Sequence, residues 1–134
     1  FDDGRVVSLD ATSGEALAVA NLAPPAGAEF VDVDSTPVID LEHGQVLVTS
    51  QAVGVHALDS VELAERWTLP VRGAGELAAG PADIFVVGSS LDGIYGLDAQ
   101  GRVLVTVFSH RSDSVRVISS RQASRAERRL YVGE

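Results

Sequence analysis

Two neighbouring carboxylates are the first candidates in this chain for binding a metal ion. Asp32 and Asp34 alternate with apolar residues in the segment VDVDS, and carboxylates this close together could share a calcium ion. A calcium loop of the EF-hand type needs more oxygen ligands at fixed spacing and a glycine, and this segment lacks both. The pair is therefore predicted to lie on the solvent side of a strand.

Histidine and cysteine, the other common metal ligands, indicate no metal site. His43, His56 and His110 lie in different parts of the chain, without the paired spacing that builds such a site. Each is predicted to occupy a turn or a strand face. The chain has no cysteine, so it has no thiolate nucleophile, no disulfide and no cysteine-ligated metal centre.

Serine and glycine give no catalytic motif. Ser50, the pair Ser89–Ser90 and the pair Ser119–Ser120 lack the strand–turn–helix context of an activated serine. The glycines lie in turn segments, and no Gly-rich loop precedes a helix, so no phosphate-binding loop is expected. The sequence thus predicts no catalytic residue, no metal ligand and no cofactor.

The net charge of −9 over 134 residues argues against two broad classes of partner. Binding to nucleic acid or to an anionic membrane needs a basic surface, which this composition does not offer. The longest apolar runs are a handful of residues, far short of the roughly 20 that span a membrane. Hydrophobic residues make up 46% of the chain, which is typical of a globular domain. We therefore expect no nucleic acid partner and no membrane-spanning segment.

The basic residues are concentrated near the end of the sequence. All ten are arginine, and six lie between Ser109 and Leu130: Arg111, Arg116, Arg121, Arg125, Arg128 and Arg129. Six Arg against two acids give this segment about +4, and four Arg against seventeen acids give the rest about −13. The segment is predicted to be a solvated, extended loop between two strands. The alternative is a candidate interface, a basic edge that meets an acidic surface such as that of another copy.

The elements that position these residues are predicted to be β-hairpins. Ile84–Asp98 reads IFVVGSSLDGIYGLD, two apolar segments around an Asp-Gly break, which is typical of a tight hairpin. Val46–Asp59 aligns with it position for position, and Asp3–Asp10 repeats its second half. No segment has a sustained 3.6-residue apolar stripe with caps at both ends, so the chain is predicted to be all-β.

The predicted strands follow one another with short turns between them. They are Asp2–Asp10 (a turn and a short strand), Glu15–Leu22, Ser35–Asp40, Gln45–Ser50, Val55–Asp59, Ala64–Val71, Glu76–Ala79, Ile84–Gly88, Ile94–Asp98, Arg102–Ser109, Ser114–Ser119 and Arg129–Gly133. The connection Ala23–Glu29 contains two prolines and cannot be a central strand.

The spacing of the repeated hairpins predicts the architecture. The Leu-Asp pairs end at Asp10, Asp59 and Asp98, at intervals of 49 and 39 residues. Four short strands in about 40 residues is the period of a propeller blade, and one blade cannot bury both of its faces without neighbours. The prediction is a β-propeller of about three blade-equivalents, either a partial propeller or part of an assembled ring. Its units are 1–22 (end of a blade), 35–71 (blade), 73–109 (blade) and 113–134 (start of a blade).

Three blade-equivalents would leave sheet edges open, which proteins usually cover. We therefore expect a piece of a longer chain, with further blades as its partners; the start at Phe1 and the absence of methionine are compatible with a processed chain or a fragment. The alternative is a homodimer in which the half-blades of two copies complete a six-bladed ring.

The residues GVHALD, ending at Asp59, and the following Trp67 resemble the blade repeat of pyrroloquinoline-quinone-type propellers. In that family an Ala and an Asp on one strand and a Trp on the next dock adjacent blades, and Ala57, Asp59 and Trp67 match this motif. The other two units keep the Asp, as Asp10 and Asp98, without the Trp.

The resemblance implies a function as well as a fold. Enzymes of the family hold the quinone against a vicinal disulfide in many members, with a calcium ion and a catalytic Asp, and this chain has no cysteine. The expected match is therefore the non-enzymatic branch, which includes the lipoprotein of the outer-membrane protein assembly machinery. We expect a non-catalytic scaffold that binds a protein partner, in an extracytoplasmic compartment. The alternative is a fragment of a quinone-dependent or other propeller enzyme whose catalytic blades lie elsewhere.

Overall fold

The computed structural model describes residues 4–22, 33, 35–91, 93–111 and 114–132, and these form eleven strands and one helix. The strands are β1 (Arg5–Leu9), β2 (Ala16–Asn21), β3 (Val38–Asp40), β4 (Gln45–Ser50), β5 (Gly54–Asp59), β6 (Glu65–Pro70), β7 (Ala74–Ala79), β8 (Phe85–Ser89), β9 (Gly93–Leu97), β10 (Val103–Arg111) and β11 (Ser114–Gln122), and the helix is α1 (Arg125–Val132). The chain is all-β in class, as predicted.

The strands form three antiparallel sheets, and none of the sheets closes on itself. The first contains β1 and β2, the second β3 to β6, and the third β7 to β11. Neighbours in each sheet are also consecutive in the chain, so short turns are sufficient to connect them.

The three sheets stack face to face through two apolar clusters. In the first cluster, Leu47 and Val55 of the β3–β6 sheet pack with Leu97 of the β7–β11 sheet. In the second, Leu58 on the opposite face of β3–β6 packs with Val6 of the β1–β2 sheet. The inner strands of the middle sheet, β4 and β5, are therefore buried on both faces, which explains their mostly apolar sequences.

The sheets repeat one another in strand register as well as in sequence. The register of β1–β2 shifts between Ser8 and Leu9. The register of β5–β6 shifts at the equivalent position 49 residues later, between Ala57 and Leu58. Each of these bulges precedes an aspartate at the start of a turn, so the same local twist recurs in both sheets.

The hairpins β4–β5 and β8–β9 share their register too. Val48 pairs with His56, and Val87 pairs with Tyr95, at positions 39 residues further along the chain. The alignment of these two segments that the sequence indicates is therefore also an alignment of their strand pairs.

The segment after Ser109 differs from the prediction. It contains little loop: β10 continues to Arg111, and β11 returns along it in a hairpin with nine residues in each strand. β11 is thus a fifth strand of the third sheet, paired along its length with β10. The predicted solvated loop between Ser109 and Leu130 is wrong, because a long antiparallel ladder pairs most of its backbone groups.

The predicted strand Arg129–Gly133 is also wrong, because residues 125–132 form α1. Ser124 caps this helix: its hydroxyl accepts a hydrogen bond from the Glu127 amide at 3.3 Å, and the Glu127 carboxylate accepts one from the Ser124 amide at 2.8 Å. This reciprocal pair is a capping box, and its Ser-x-x-Glu signature is visible in the sequence. The helix has only eight residues, so it lacks the sustained apolar stripe that would have predicted it from the sequence.

Candidate functional site

Asp10, Asp59 and Asp98 each cap the turn that follows them. One carboxylate oxygen in each accepts hydrogen bonds from two backbone amides two to four residues later, at 2.8–3.0 Å. The second oxygen of Asp59 pairs with Arg66 at 2.7 Å, and that of Asp98 with Arg102 at 2.6 Å. The aspartates of the Leu-Asp pairs thus shape the turns β1–β2, β5–β6 and β9–β10.

In Asp59 and Asp10 these hydrogen bonds favour the ionised form of the carboxyl. The backbone amide of Glu62, with its neighbour and Arg66, lowers the pKa of Asp59 from 3.8 to about 2. The pKa of Asp10 is lowered in the same way, first by the backbone amide of Ser13. A carboxylate whose lone pairs are already used by its own turn is poorly suited to general acid–base work near neutral pH.

Trp67 joins the two larger sheets. Its indole N–H donates a 3.1 Å hydrogen bond to the carbonyl of Ala99, in the turn between β9 and β10. Gln45 in β4 donates a 2.8 Å hydrogen bond to the same carbonyl. The indole lies against Gly101, where an added Cβ would fall 2.6 Å from the ring atom Cε3. One carbonyl of the third sheet thus accepts two donors from the second, and we call these four residues the Trp67 joint.

The residues predicted to dock blades divide into two roles. Ala57 lies directly opposite Trp67 in β5–β6 and belongs to the apolar cluster between the two larger sheets. Asp59 acts within its own sheet, on its own turn. Asp98 caps the turn that carries Ala99 and so positions the carbonyl that Trp67 contacts. Asp10 has the same turn-capping geometry in the first sheet.

Gln45 is a joint residue that the sequence analysis missed. Besides Ala99, its side-chain amide donates to Asp40 at 2.9 Å, and Asp40 also accepts from the backbone of His43 at 3.2 Å. Burial alone would raise the pKa of Asp40, but the hydrogen bonds from Gln45 and His43 outweigh it and leave the pKa lowered. The hydrogen bond to Asp40 raises the pKa of His43. The sequence contains one signal for the role of Gln45: it is a polar residue at the first position of an otherwise mostly apolar strand.

The candidate metal and catalytic side chains do not come together. His43 lies in the β3–β4 turn, and His56 lies buried in β5 with its Nδ1 atom 3.0 Å from the Glu65 carboxylate. No three His, Cys, Asp or Glu residues in the described part of the chain are grouped so that they could hold a metal ion. His110 lies in β10 and its side chain is not described; Asp32 and Asp34 lie outside the described residues.

The serines have structural surroundings. The Ser89 hydroxyl donates to the carbonyl of Arg72 at 2.7 Å and accepts from the Leu91 amide at 3.1 Å, which fixes the β8–β9 turn. Ser50 is buried at the end of β4, and Ser119 is exposed on β11. None of them begins a helix after a strand, as an activated serine of the hydrolase type does.

The six arginines of the candidate interface are distributed over β10, β11 and α1. Arg121 makes a bidentate pair with Glu127, at 2.9 and 2.7 Å. Arg125, Arg128 and Arg129 lie exposed on α1. Arg111 and Arg116 belong to β10 and β11, and their side chains are not described. Within the described residues, Arg121 is thus already paired with an acid of its own chain.

Two outer faces of the stack carry exposed apolar side chains. On the β1–β2 end face, the outer side of the first sheet, Leu9 is 58% and Val19 55% exposed. On the β8–β9 end face, the outer side of the third sheet, Ile94 is 80% and Val86 38% exposed. Clustered apolar surface of this kind is typical of sites that bind another protein.

Comparison with known proteins adds no relative: no protein-family model matches this chain, and neither does any curated protein. Within the described residues, no helix is long and apolar enough to cross a membrane, which agrees with the prediction of no membrane-spanning segment. The likeness to pyrroloquinoline-quinone-type propellers rests on the residues quoted above and stays a prediction.

Proposed function

We propose that this chain folds as part of a quinoprotein-like β-propeller and acts as a non-catalytic scaffold that binds a protein partner. The stacking supports the propeller: three antiparallel sheets repeat in register, and the inner strands of the middle sheet are buried on both faces. The Trp67 joint supports the family, because an indole crosses from one sheet to the turn of the next.

The observation that carries the binding function is the pair of apolar end faces. Leu9 and Ile94 are large apolar side chains on the outer faces of a stack whose inner faces are closely packed. Transfer of such side chains out of water on binding is favourable by about 1.5–3 kcal/mol each when burial is complete. The turn-capping aspartates and Gln45, by contrast, already make hydrogen bonds within the turns and in the Trp67 joint.

The experiment that tests the non-catalytic function is a titration with pyrroloquinoline quinone and calcium. We expect no change in the quinone absorbance spectrum and no rise in the melting temperature of the chain. A ligand of the native state at 100 times its Kd would stabilise the chain by about 2.7 kcal/mol, so thermal unfolding is a sensitive readout. Calcium alone is the control. A saturable spectral shift with a matching rise in melting temperature would contradict the scaffold proposal and favour the enzyme alternative.

A further inference from the structure

We propose that the partner of the two end faces is a second copy of this chain, stacked head to tail. The β8–β9 end face of one copy would pack on the β1–β2 end face of the other. This inference rests on the proposed scaffold function and names the partner that the scaffold binds.

The first argument is the burial of residues equivalent to those of the β8–β9 end face. Ile94 occupies the position of Val55 in β5, 39 residues earlier, and Val86 occupies that of Leu47. Val55 and Leu47 are 0% exposed because the third sheet covers them, whereas Ile94 is 80% exposed. Equivalent surfaces are thus buried where another sheet follows in the stack and exposed to solvent at the end of the stack.

The second argument is the matching pattern on the β1–β2 end face. Leu9 occupies the position of Leu58 in β5 and of Leu97 in β9, immediately before the turn-capping aspartate. Leu58 and Leu97 are both 0% exposed, each packed against the sheet that precedes it in the stack, whereas Leu9 is 58% exposed. This end face therefore has the chemistry of a face that a preceding sheet covers.

The third argument is that both internal joints pair unlike faces. Val6, equivalent to Ile94, packs in the cluster that contains Leu58, and Val55 packs in the cluster that contains Leu97. A face of the Ile94 type thus meets a face of the Leu9 type each time, so the two free end faces complement each other. The β8–β9 end face should bind the β1–β2 end face and should not bind itself.

Such a contact is heterologous, and heterologous contacts either close into a ring or continue as a filament. Two copies supply six sheets, which lies within the roughly four to eight blades of closed propellers. We therefore expect a dimer of twice 14.0 kDa in which both pairs of end faces are joined.

The test uses light scattering after gel filtration on the wild-type chain and on Leu9→Lys and Ile94→Lys. Both residues are exposed, so each variant should keep the circular dichroism and the melting temperature of a folded monomer. Each variant alone lacks one of the two faces and should be monomeric. Mixed in equal amounts, they should form a one-to-one dimer, because Leu9→Lys retains the β8–β9 end face and Ile94→Lys retains the β1–β2 end face.

Val61→Lys is the matched control, since Val61 is 75% exposed in the β5–β6 turn, away from both end faces. It should dimerise as the wild type does. A monomeric wild type at the highest attainable concentration, a dimer that either lysine variant retains, or variants that do not complement would overturn head-to-tail stacking. Those results would leave the scaffold proposal standing, whereas quinone binding would overturn the scaffold proposal itself.

Discussion

Gly54→Ala is expected to lower the free energy of unfolding by about 4 kcal/mol, from backbone strain and overpacking of roughly 1–3 kcal/mol each. Gly54 begins β5 with a φ of +132°, a conformation that residues with a Cβ rarely adopt. A Cβ there would overlap the carbonyl oxygen of Leu69 and the amide nitrogen of Val71, and both are backbone atoms that cannot rotate away. The middle sheet would have to separate β5 from β6. Urea unfolding followed by circular dichroism measures the loss.

Gly14→Ala is the matched control for Gly54→Ala. Gly14 also has a positive φ, of +75°, but nothing lies within 4 Å of its Cβ position. We expect this variant to lose only about 1 kcal/mol, the cost of the left-handed backbone conformation. Equal losses in the two variants would contradict the close approach of the β6 backbone to Gly54.

Trp67→Ala is expected to lower the free energy of unfolding by about 3 kcal/mol, the lower end for truncation of a large aromatic residue, because Trp67 is only half-buried. The variant removes the indole that packs on Gly101 and the hydrogen bond to Ala99. The Ala99 carbonyl keeps the hydrogen bond from Gln45, so no buried acceptor is left without a donor. Urea unfolding by circular dichroism is the measurement, since the substitution removes the only tryptophan.

Two further variants separate the parts of the Trp67 joint. Trp67→Phe keeps an aromatic ring and should lose about 1 kcal/mol, the contribution of one hydrogen bond. Gly101→Ala should cost more in the wild type than in Trp67→Ala, because its Cβ meets the indole only when the indole is present. Additive losses in this double-mutant cycle would contradict direct packing of Trp67 on Gly101.

The repeat within the chain is the part of the fold that the sequence predicted best. The match between Val46–Asp59 and the hairpin ending at Asp98 corresponds to equal strand register in β4–β5 and β8–β9. Period-two apolar patterns and the turn-forming aspartate are local signals, which can be recognised in a single sequence.

The end of the chain was predicted less well, for a physical reason. The segment RLYVG has the residue types of a strand, but Ser124 and Glu127 form a capping box that begins a helix just before it. Long-range contacts were also out of reach: Gln45 and Ala99 are 54 residues apart, and only the stacking of two sheets brings them together. The sequence alone does not show which backbone carbonyl will accept a hydrogen bond from a given side chain in the folded protein.

The repeated apolar contact between neighbouring sheets suggests how a scaffold of this kind gains partners. Each sheet offers one face of the Ile94 type and one of the Leu9 type, so the stack extends by repeating a single kind of contact. The turn-capping aspartates hydrogen-bond to the backbone of their turns, while the faces of the sheets bury apolar surface. The same kind of apolar contact would then stabilise the fold between neighbouring sheets and bind a partner at the end faces.

The most direct test of the stacked scaffold is carbene footprinting of the wild-type chain at low and high concentration. Labelling of Leu9 and Ile94 should fall as the concentration rises, because each becomes covered by the other end face. Labelling of Leu41 and Val61, exposed in turns away from both end faces, should stay unchanged. Protection confined to the arginines of β11 and α1, or no protection at any concentration, would contradict head-to-tail stacking of the chain through its apolar end faces.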